Sequence, residues 1–387
     1  MLLDQIASEP VGVCVSGGLS SLAVAASLAD SGVVTTALVA DIGQASDDDV
    51  HSLARSLEGA GIPVVAVDLR DAMAELALDL VRYLARHERG YWNTTSSSRL
   101  VLVQGLAAAA RGAGCTVLAH GCVGGGNDQR RFERYTGTLA PDLRPFAPWT
   151  EPELLQRFPD RSAMEKYVLG RDLELAVGCG THNSVDGNLA GFSHEGTALE
   201  SLETPDSAAQ LLLTVPPPLA PDRPEKVTIR FDRGRPAEID GSAASPRELL
   251  EHANIVAGRH GIGLLSVVEN RINGTKCRGV YEAPGVDLLG TCVGKVYELT
   301  IDREARQLLD YLSDLIGRGV YEGRYYDPAI QAARAAADVI LEPASATVTV
   351  ELYKGNVSFL RMCDHADKPL PPRQTRFSGG GHFWQVT

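Results

Sequence analysis

The sequence predicts an α/β protein, with an N-terminal parallel sheet covered by helices and a second, α+β domain behind it. Two observations carry this. Up to Trp149, short apolar runs suited to buried parallel strands alternate with helical segments. Beyond Trp149 the alternation gives way to irregular segments, a proline-rich stretch and a closing hairpin. The chain has 387 residues, 44 % of them apolar, enough to build two cores.

Val11–Val15 reads as the first strand, Ser20–Asp30 as a helix and Val34–Ala40 as the next strand. Ser46 is placed to cap a helix whose first turn, Asp47, Asp48 and Asp49, sets carboxylates at the positive helix end. Ile62–Val67 is a third strand, Asp71–His87 and Arg99–Arg111 are helices, and Cys115–Ala119 is a fourth strand. This βαβα order argues for a parallel sheet. Short helical segments then lead to a loop-rich stretch, Gly178–Gly196. Pro216, Pro217, Pro218, Pro221 and Pro224 mark a crossing within the second domain. Val227–Phe231 and Ala237–Ile239 read as strands around a turn at Gly234, and Arg247–Arg259 as a helix. Leu264–Ile272 and Leu288–Val293 read as strands, Asp302–Ile316 and Pro328–Ile340 as helices. Val348–Tyr353 and Val357–Arg361 pair across Lys354-Gly355-Asn356.

Composition excludes several classes of function. The net charge is -13, with 49 acidic against 36 basic residues, so a phosphate backbone is not attracted and nucleic acid is not an expected partner. No apolar run is long enough to span a bilayer. Met1 to Pro10 carries Asp4 and Glu9 and no basic residue, which does not read as a secretory signal. The seven cysteines form no Cys-x-x-Cys pair, so neither zinc spacing nor a disulfide framework is visible. They fit small core thiols in a reducing cytoplasm.

Two glycine-rich loops carry the chemistry. Ser16-Gly17-Gly18-Leu19-Ser20-Ser21 joins the first strand to the first helix. Glycines there let backbone N–H groups converge on an anion at a helix start, and the serine hydroxyls add donors. The loop lacks the lysine of Gly-x-x-x-x-Gly-Lys-Ser/Thr and the spacing of Gly-x-Gly-x-x-Gly. Taken alone it could be a tight structural turn. His120-Gly121-Cys122-Val123-Gly124-Gly125-Gly126-Asn127-Asp128-Gln129 follows the fourth strand. Its glycines permit close approach of a ligand, and Asn127, Asp128 and Arg131 suit a zwitterionic amino acid. His120 taken alone reads as structural.

The first loop resembles the Ser-Gly-Gly-x-Asp-Ser/Thr loop of ATP pyrophosphatases, which split ATP into AMP and pyrophosphate. Ala40-Asp41-Ile42-Gly43-Gln44 fits the place where those enzymes hold the adenosine. The second loop, with Arg131-Phe132-Glu133, is similar to the signature of the argininosuccinate synthase family. So are Leu139-Ala140-Pro141-Asp142, Ala147-Pro148-Trp149, Val268-Glu269-Asn270-Arg271, Arg278-Gly279-Val280-Tyr281-Glu282 and Leu352-Tyr353-Lys354-Gly355-Asn356. The resemblance runs from about Val11 to Arg361.

It implies a nucleotide-binding domain of the ATP pyrophosphatase type over 1–168, a synthetase domain over 169–365 and a short C-terminal tail over 366–387. The implied ATP site is Cys14, Val15, Ser16, Gly17, Gly18, Leu19, Ser20, Ser21, Ala40, Gln44, His120, Gly121, Gly124 and Gly126. The implied citrulline site is Tyr91, Thr95, Ser96, Asn127, Arg131, Ser184, Ser193, Glu269 and Tyr281. Val123, Asn127 and Asp128 would meet the amine substrate, and Asp128, Arg131 and Ser16 would be the catalytic groups. The implied reaction is AMP-forming ligation of citrulline to aspartate. Magnesium would arrive with ATP, no resident metal is expected, and a cytoplasmic homo-oligomer, dimer or tetramer, is implied.

Three departures fall inside the implied site. Ser20 stands where the first loop normally has Asp, with Leu22 in place of a hydroxyl residue; Val123 stands for Thr; Gly125 stands for Lys. Losing one donor to a carboxylate costs about 1.5–3 kcal/mol. Arg130 is the neighbouring cation that could stand in for the lysine. These changes leave two further readings open: a specialised ligase with another amine or acceptor, and a weakly catalytic homologue that binds nucleotide or amino acid and regulates a partner.

Overall fold

The computed structural model describes residue 6 and residues 8–44, 47–175 and 183–363. Ser46, Cys179 and the tail 366–387 lie outside the described residues. The first unit runs β1 (Val11–Val15), α1 (Leu19–Asp30), β2 (Thr35–Asp41), α2 (Asp47–Gly59), β3 (Val64–Asp68), α3 (Arg70–Arg82), α4 (Thr94–Gly112), β4 (Val117–His120), α5 (Asn127–Leu139) and β5 (Arg144–Phe146). Its sheet has the order β3-β2-β1-β4-β5, and every pairing is parallel. All five residues of β1 are buried, as the apolar run requires of a central strand with both faces covered. The strand order reverses between β1 and β4, so the loops leaving their carboxyl ends open a crevice there.

Two short helices follow, α6 (Pro152–Arg157) and α7 (Arg161–Leu169). Asp160 caps α7 by accepting from the Ala163 N–H at 2.8 Å. Tyr167 Oη donates to Asp30 Oδ2 at 2.5 Å, and Arg171 pairs with the same carboxylate, so the C-terminal ends of α1 and α7 lie together.

The remainder runs β6 (Asn183–Asn188), β7 (Gly191–Gly196), α8 (Thr197–Glu200), β8 (Glu225–Asp232), β9 (Arg235–Ile239), β10 (Ser242–Ala243), α9 (Pro246–Arg259), β11 (Leu264–Asn270), β12 (Lys276–Glu282), α10 (Pro284–Thr300), α11 (Arg303–Tyr321), α12 (Pro328–Leu341), β13 (Ala346–Tyr353) and β14 (Asn356–Cys363). It holds two sheets, β10-β9-β8-β13-β14 and β11-β12-β7-β6, both antiparallel throughout. α9 starts on a Ser245–Glu248 capping box, with Pro246 at its first position.

The structure corrects three sequence expectations. Leu288–Val293 is not a strand; it lies inside α10, whose buried Val286, Leu289, Val293, Val296 and Tyr297 recur at helical spacing. A short apolar run looks the same in a buried helix as in a strand. The stretch expected as loops contains the β6–β7 hairpin, whose Asn, Asp, Gly and His residues have low strand propensity. The helix expected to reach His87 stops at Arg82, and Leu84 has a positive φ of 48°. The proline-rich crossing is packed: Val215 N–H donates to Gly258 O at 3.1 Å.

Two buried polar centres set the geometry near the crevice. Asn93, with left-handed backbone (φ 59°), precedes α4, and its Nδ2 donates to Ala85 O and Gly317 O at 3.0 Å each. Glu282, fully buried, faces His194 Nε2 at 2.7 Å and accepts from the N–H groups of Leu212, Leu213 and Thr214 at 2.8, 2.7 and 2.6 Å. Burial works against the Glu282 charge, but His194 and the amides outweigh it and hold its pKa below the ordinary carboxylate value. Removing this carboxylate strands three backbone donors, that of Thr214 buried and those of Leu212 and Leu213 partly buried. Glu282→Ala is expected to cost about 3–5 kcal/mol in urea unfolding; a loss under about 1 kcal/mol would show the pinned 212–214 segment to be independent of it.

Candidate active site

The crevice at the ends of β1 and β4 widens into a cavity of about 890 Å³, closed on the far side by β7, β11 and β12. The loop after β1 forms one wall, with Cys14, Val15, Ser16, Gly18, Leu19, Ser20 and Ser21 facing the cavity. Gly17 is the one residue of that loop outside the lining; its φ of 76° makes the turn that aims the others. The loop braces itself. Ser21 Oγ donates to Gly18 O at 2.9 Å and accepts from Ser16 N–H at 3.3 Å. The first N–H groups of α1 have no partners within the helix, so the loop offers donors at a positive helix end.

Ala40 and Gln44, at the end of β2, line the adjoining wall. The Gln44 side chain folds back, donating to Ala40 O at 2.7 Å and accepting from Ile42 N–H at 2.8 Å. Leu102 and Leu106 of α4 add an apolar surface beside Cys14 and Cys122. Burial raises both thiols, Cys14 to about 12, so they act as apolar wall and not as nucleophiles.

The loop after β4 brings His120, Gly121, Val123, Gly124, Gly126, Asn127 and Asp128 to the cavity. A Cβ on Gly124 would sit 2.5 Å from Trp149 O, so only glycine lets this loop lie against the 148–150 turn. Cys122 N–H donates to His120 Nδ1 at 3.2 Å, and the ring stacks on Phe132 at 4.9 Å. Burial pushes His120 down to about 4, so the ring is neutral near pH 7. Val123 is exposed at the cavity mouth.

An ionic network of two buried arginines and two partly exposed carboxylates lies between the loops. Arg99, on α4, reaches Asp128 at 3.0 Å and Asp186 of β6. Arg131 reaches the other oxygen of Asp128 at 2.7 Å, donates to Tyr321 O at 2.7 Å and lies over the Tyr321 ring. Burial penalises the Asp128 charge, but Arg99 and Arg131 outweigh it and hold the carboxyl well below the usual range.

The far end of the cavity is lined by Tyr91, Thr95, Ser193, Glu269, Tyr281 and Tyr321. Thr95 and Ser193 share a hydroxyl hydrogen bond, and Tyr91 Oη accepts from Thr95 N–H at 2.8 Å. Glu269 Oε1 accepts from Tyr321 at 2.9 Å and Tyr281 at 3.3 Å. Its Oε2 is buried and has no partner among the described residues, which suits an N–H group of a ligand. Asn127 Nδ2 donates to Tyr321 Oη at 3.0 Å, tying the second loop to this end.

Besides Gly17, two expected residues are not seen in the lining. Ser96 is fully buried and does not line the cavity, and the Ser184 side chain lies outside the described residues. Arg130 is not in the lining either; Arg161 and Arg271 are the further cations there. The residue-type reasoning missed Arg99, Asp186, Tyr321 and Arg161 as site groups. Arg99 left one signal, a lone charge beside Leu100 and Val101 in an apolar helix. Among the described residues, no group of three or more His, Cys, Asp or Glu side chains is placed to hold a metal ion, and no helix is long and apolar enough to cross a membrane.

Two sequence families match the chain: Arginosuccinate synthase N-terminal HUP domain over residues 11–166, and Arginosuccinate synthase C-terminal domain over 183–365. The chain is 36 % identical over 348 residues to the chloroplastic argininosuccinate synthase of Arabidopsis thaliana, covering 89 % of this chain and 69 % of that protein. It is 34 % identical over 355 residues to argininosuccinate synthase of Carboxydothermus hydrogenoformans, covering 90 % and 86 %. The enzyme of that name from Rhodopirellula baltica is 32 % identical over 346 residues, covering 88 % and 85 %.

Burial, only partly offset by Tyr321, Arg131 and Tyr281, raises Glu269 from the ordinary 4.5 to about 7. The sign follows from linkage. Below about pH 4.5 folded and unfolded chains both hold the proton; as pH rises the unfolded chain releases it first, and stability falls until the folded carboxyl ionises near pH 7. Glu269→Gln removes this loss. The stability of the ligand-free wild type relative to the variant is expected to drop by about 3 kcal/mol between pH 4.5 and 8 in chemical unfolding. A pH-independent difference would contradict it.

Proposed function

Because the chain belongs to the argininosuccinate synthase family, we propose that its cavity joins citrulline to aspartate at the expense of ATP. The ureido oxygen of citrulline attacks the α-phosphorus and pyrophosphate leaves. The amine of aspartate then displaces AMP from the adenylated carbon, loses its proton and yields argininosuccinate. Magnesium enters as part of the substrate MgATP, where it neutralises the leaving pyrophosphate.

The observation that carries this reading is that both glycine-rich loops and the Glu269 end open into one cavity. No protein nucleophile is needed; the reactants need only be aligned and the phosphate charge stabilised. The Ser16–Ser21 loop receives the phosphates, and Ala40, Leu102 and Leu106 face the adenosine. The unpartnered oxygen of Glu269 accepts from citrulline, with Tyr91, Thr95, Ser193 and Tyr281 around it. Asp128, held ionised by two arginines, accepts from the incoming amine and orients it. In this reading residues 1–168 hold the nucleotide, 169–365 close over the amino-acid substrates, and the working form is a cytoplasmic homo-oligomer.

The test is pyrophosphate release from MgATP with citrulline, with and without aspartate, and identification of the product. Release that needs citrulline and yields argininosuccinate supports the reading. Citrulline-dependent release without that product overturns aspartate as the amine, and no release overturns the reaction. Asp128→Asn is expected to lower argininosuccinate formation by about 100-fold or more. Its AMP affinity should stay near that of the wild type; an equal fall in both would make Asp128 a residue of the nucleotide site.

A further inference from the structure

We propose that Glu195 takes the proton from the ammonium group of the incoming amino acid and so frees its nitrogen to attack the adenylated carbon; this rests on the ligase reading above. The chemistry calls for a base. An amino acid carries its amine largely as ammonium near neutral pH, and an ammonium nitrogen has no lone pair to attack with. Asp128 orients that group but is a poor acceptor of its proton, because Arg99 and Arg131 hold the carboxyl well below the usual range. Asp186 is bound to Arg99 as well. His120 is pushed down to about 4, and its Nδ1 already accepts from the Cys122 N–H. Glu269 Oε1 accepts from two tyrosines, and its Oε2 serves citrulline in the reading above.

The sheet β11-β12-β7-β6 puts Glu195 where that base has to stand. Residues directly opposite each other in antiparallel strands share a face, and so do alternate residues along one strand. Asp186 pairs with Ser193, Ser193 with Tyr281, and Glu269 with Cys277, four places from Tyr281 on β12. Glu195 lies two places beyond Ser193 on β7, about 7 Å along the strand. All of these side chains therefore stand on one face, and all of them line the cavity. On the β6 side Glu195 has Asp186, which Arg99 links to Asp128. On the β12 side it has Tyr281 and then Glu269, the end assigned to citrulline. Its side chain is exposed to the cavity, so its lone pairs are open to a ligand. Desolvation by the surrounding protein, then the charges of Asp128 and Asp186, raise its pKa from the ordinary 4.5 against Arg271 and Arg131; its own charge bears on Glu269, Cys277 and Tyr281. A carboxylate raised in this way holds a captured proton better than Asp128 can. In the step itself one N–H bond of the ammonium breaks, the proton moves to a Glu195 oxygen and the electron pair stays on nitrogen. That pair forms the C–N bond, the bond from carbon to the AMP oxygen breaks, and AMP leaves with those electrons. The nitrogen sheds a second proton to the AMP phosphate as the adduct collapses.

The test follows the two half-reactions separately in wild type, Glu195→Gln and Glu195→Asp. The Gln variant is expected to form argininosuccinate about 100-fold more slowly or worse, while pyrophosphate release in a single turnover with MgATP and citrulline alone changes less than about threefold. With citrulline saturating, so that Glu269 is already engaged, the wild-type kcat/KM for aspartate should fall as the pH drops through the ionisation of Glu195. The Gln variant should lose that acidic limb, and Asp128→Asn should keep it. Glu195→Asp should keep the limb at a reduced rate, since its carboxylate survives one methylene short. Equal loss in both half-reactions, no loss in either, or an acidic limb that survives Glu195→Gln overturns the proposal. Should the Gln variant fail to fold, the Asp variant decides by the same contrast between half-reactions. A wild type that releases no pyrophosphate with citrulline overturns the ligase reading and this step with it, and the first assay alone tells that failure apart.

Discussion

The arrangement of the site depends on one guanidinium. Arg99 leaves the buried side of α4 and meets Asp128 at the start of α5 and Asp186 on β6. Those carboxylates belong to the parallel-sheet unit and to an antiparallel sheet, so a single charge ties the two together at the centre of the cavity. Desolvating it is costly, and the cost is met only because both partners lie within hydrogen-bond reach. Arg131 completes the arrangement by holding the second oxygen of Asp128 and the backbone at Tyr321. Asp128 is thus fixed from two directions and kept ionised, and the backbone of the glycine-rich loop inherits its position. Hydrogen bonds from Asn127 to Tyr321 and Ile272, and between Thr95 and Ser193, join the same two walls, but none of them carries charge.

Charge is distributed with a purpose that the net figure hides. The chain is acidic overall, yet its cavity carries four arginines against Asp128, Asp186, Glu195 and Glu269. A zwitterionic amino acid and a polyanionic nucleotide can therefore share one space without either sign prevailing. The neutral His120 and the protonated thiols of Cys14 and Cys122 fit the same economy, since they add surface without adding charge.

Local pattern revealed the parallel sheet and both glycine-rich loops, because strand periodicity and turn chemistry are set by near neighbours. The Ser16–Ser21 and His120–Gln129 loops were legible for that reason. Elements whose character depends on distant partners were not. Leu288–Val293 is helical because α10 is covered by α9, α3 and the antiparallel sheet, and nothing in the run itself says so. β6 and β7 read as loops because their polar side chains serve the cavity instead of a core. Arg99 and Tyr321 are more than two hundred residues apart in sequence, and only the folded chain brings both to Asp128 and its neighbours. The roles of single site residues came from resemblance and not from spacing, and Ser96, buried outside the cavity, marks where that transfer is weakest.

Asn93 shows how little room such a site leaves for sequence drift. Its backbone is left-handed, which most residues with a branched Cβ cannot adopt without strain. Glycine would accept that conformation and lose both hydrogen bonds. Aspartate would aim an acceptor at two carbonyl oxygens, Ala85 O and Gly317 O, that need a donor. Two independent filters, one conformational and one chemical, therefore pass the same side chain. Asn93 is thus a fixed point two residues before Thr95, and a change that reshapes this end of the cavity has to be made around it.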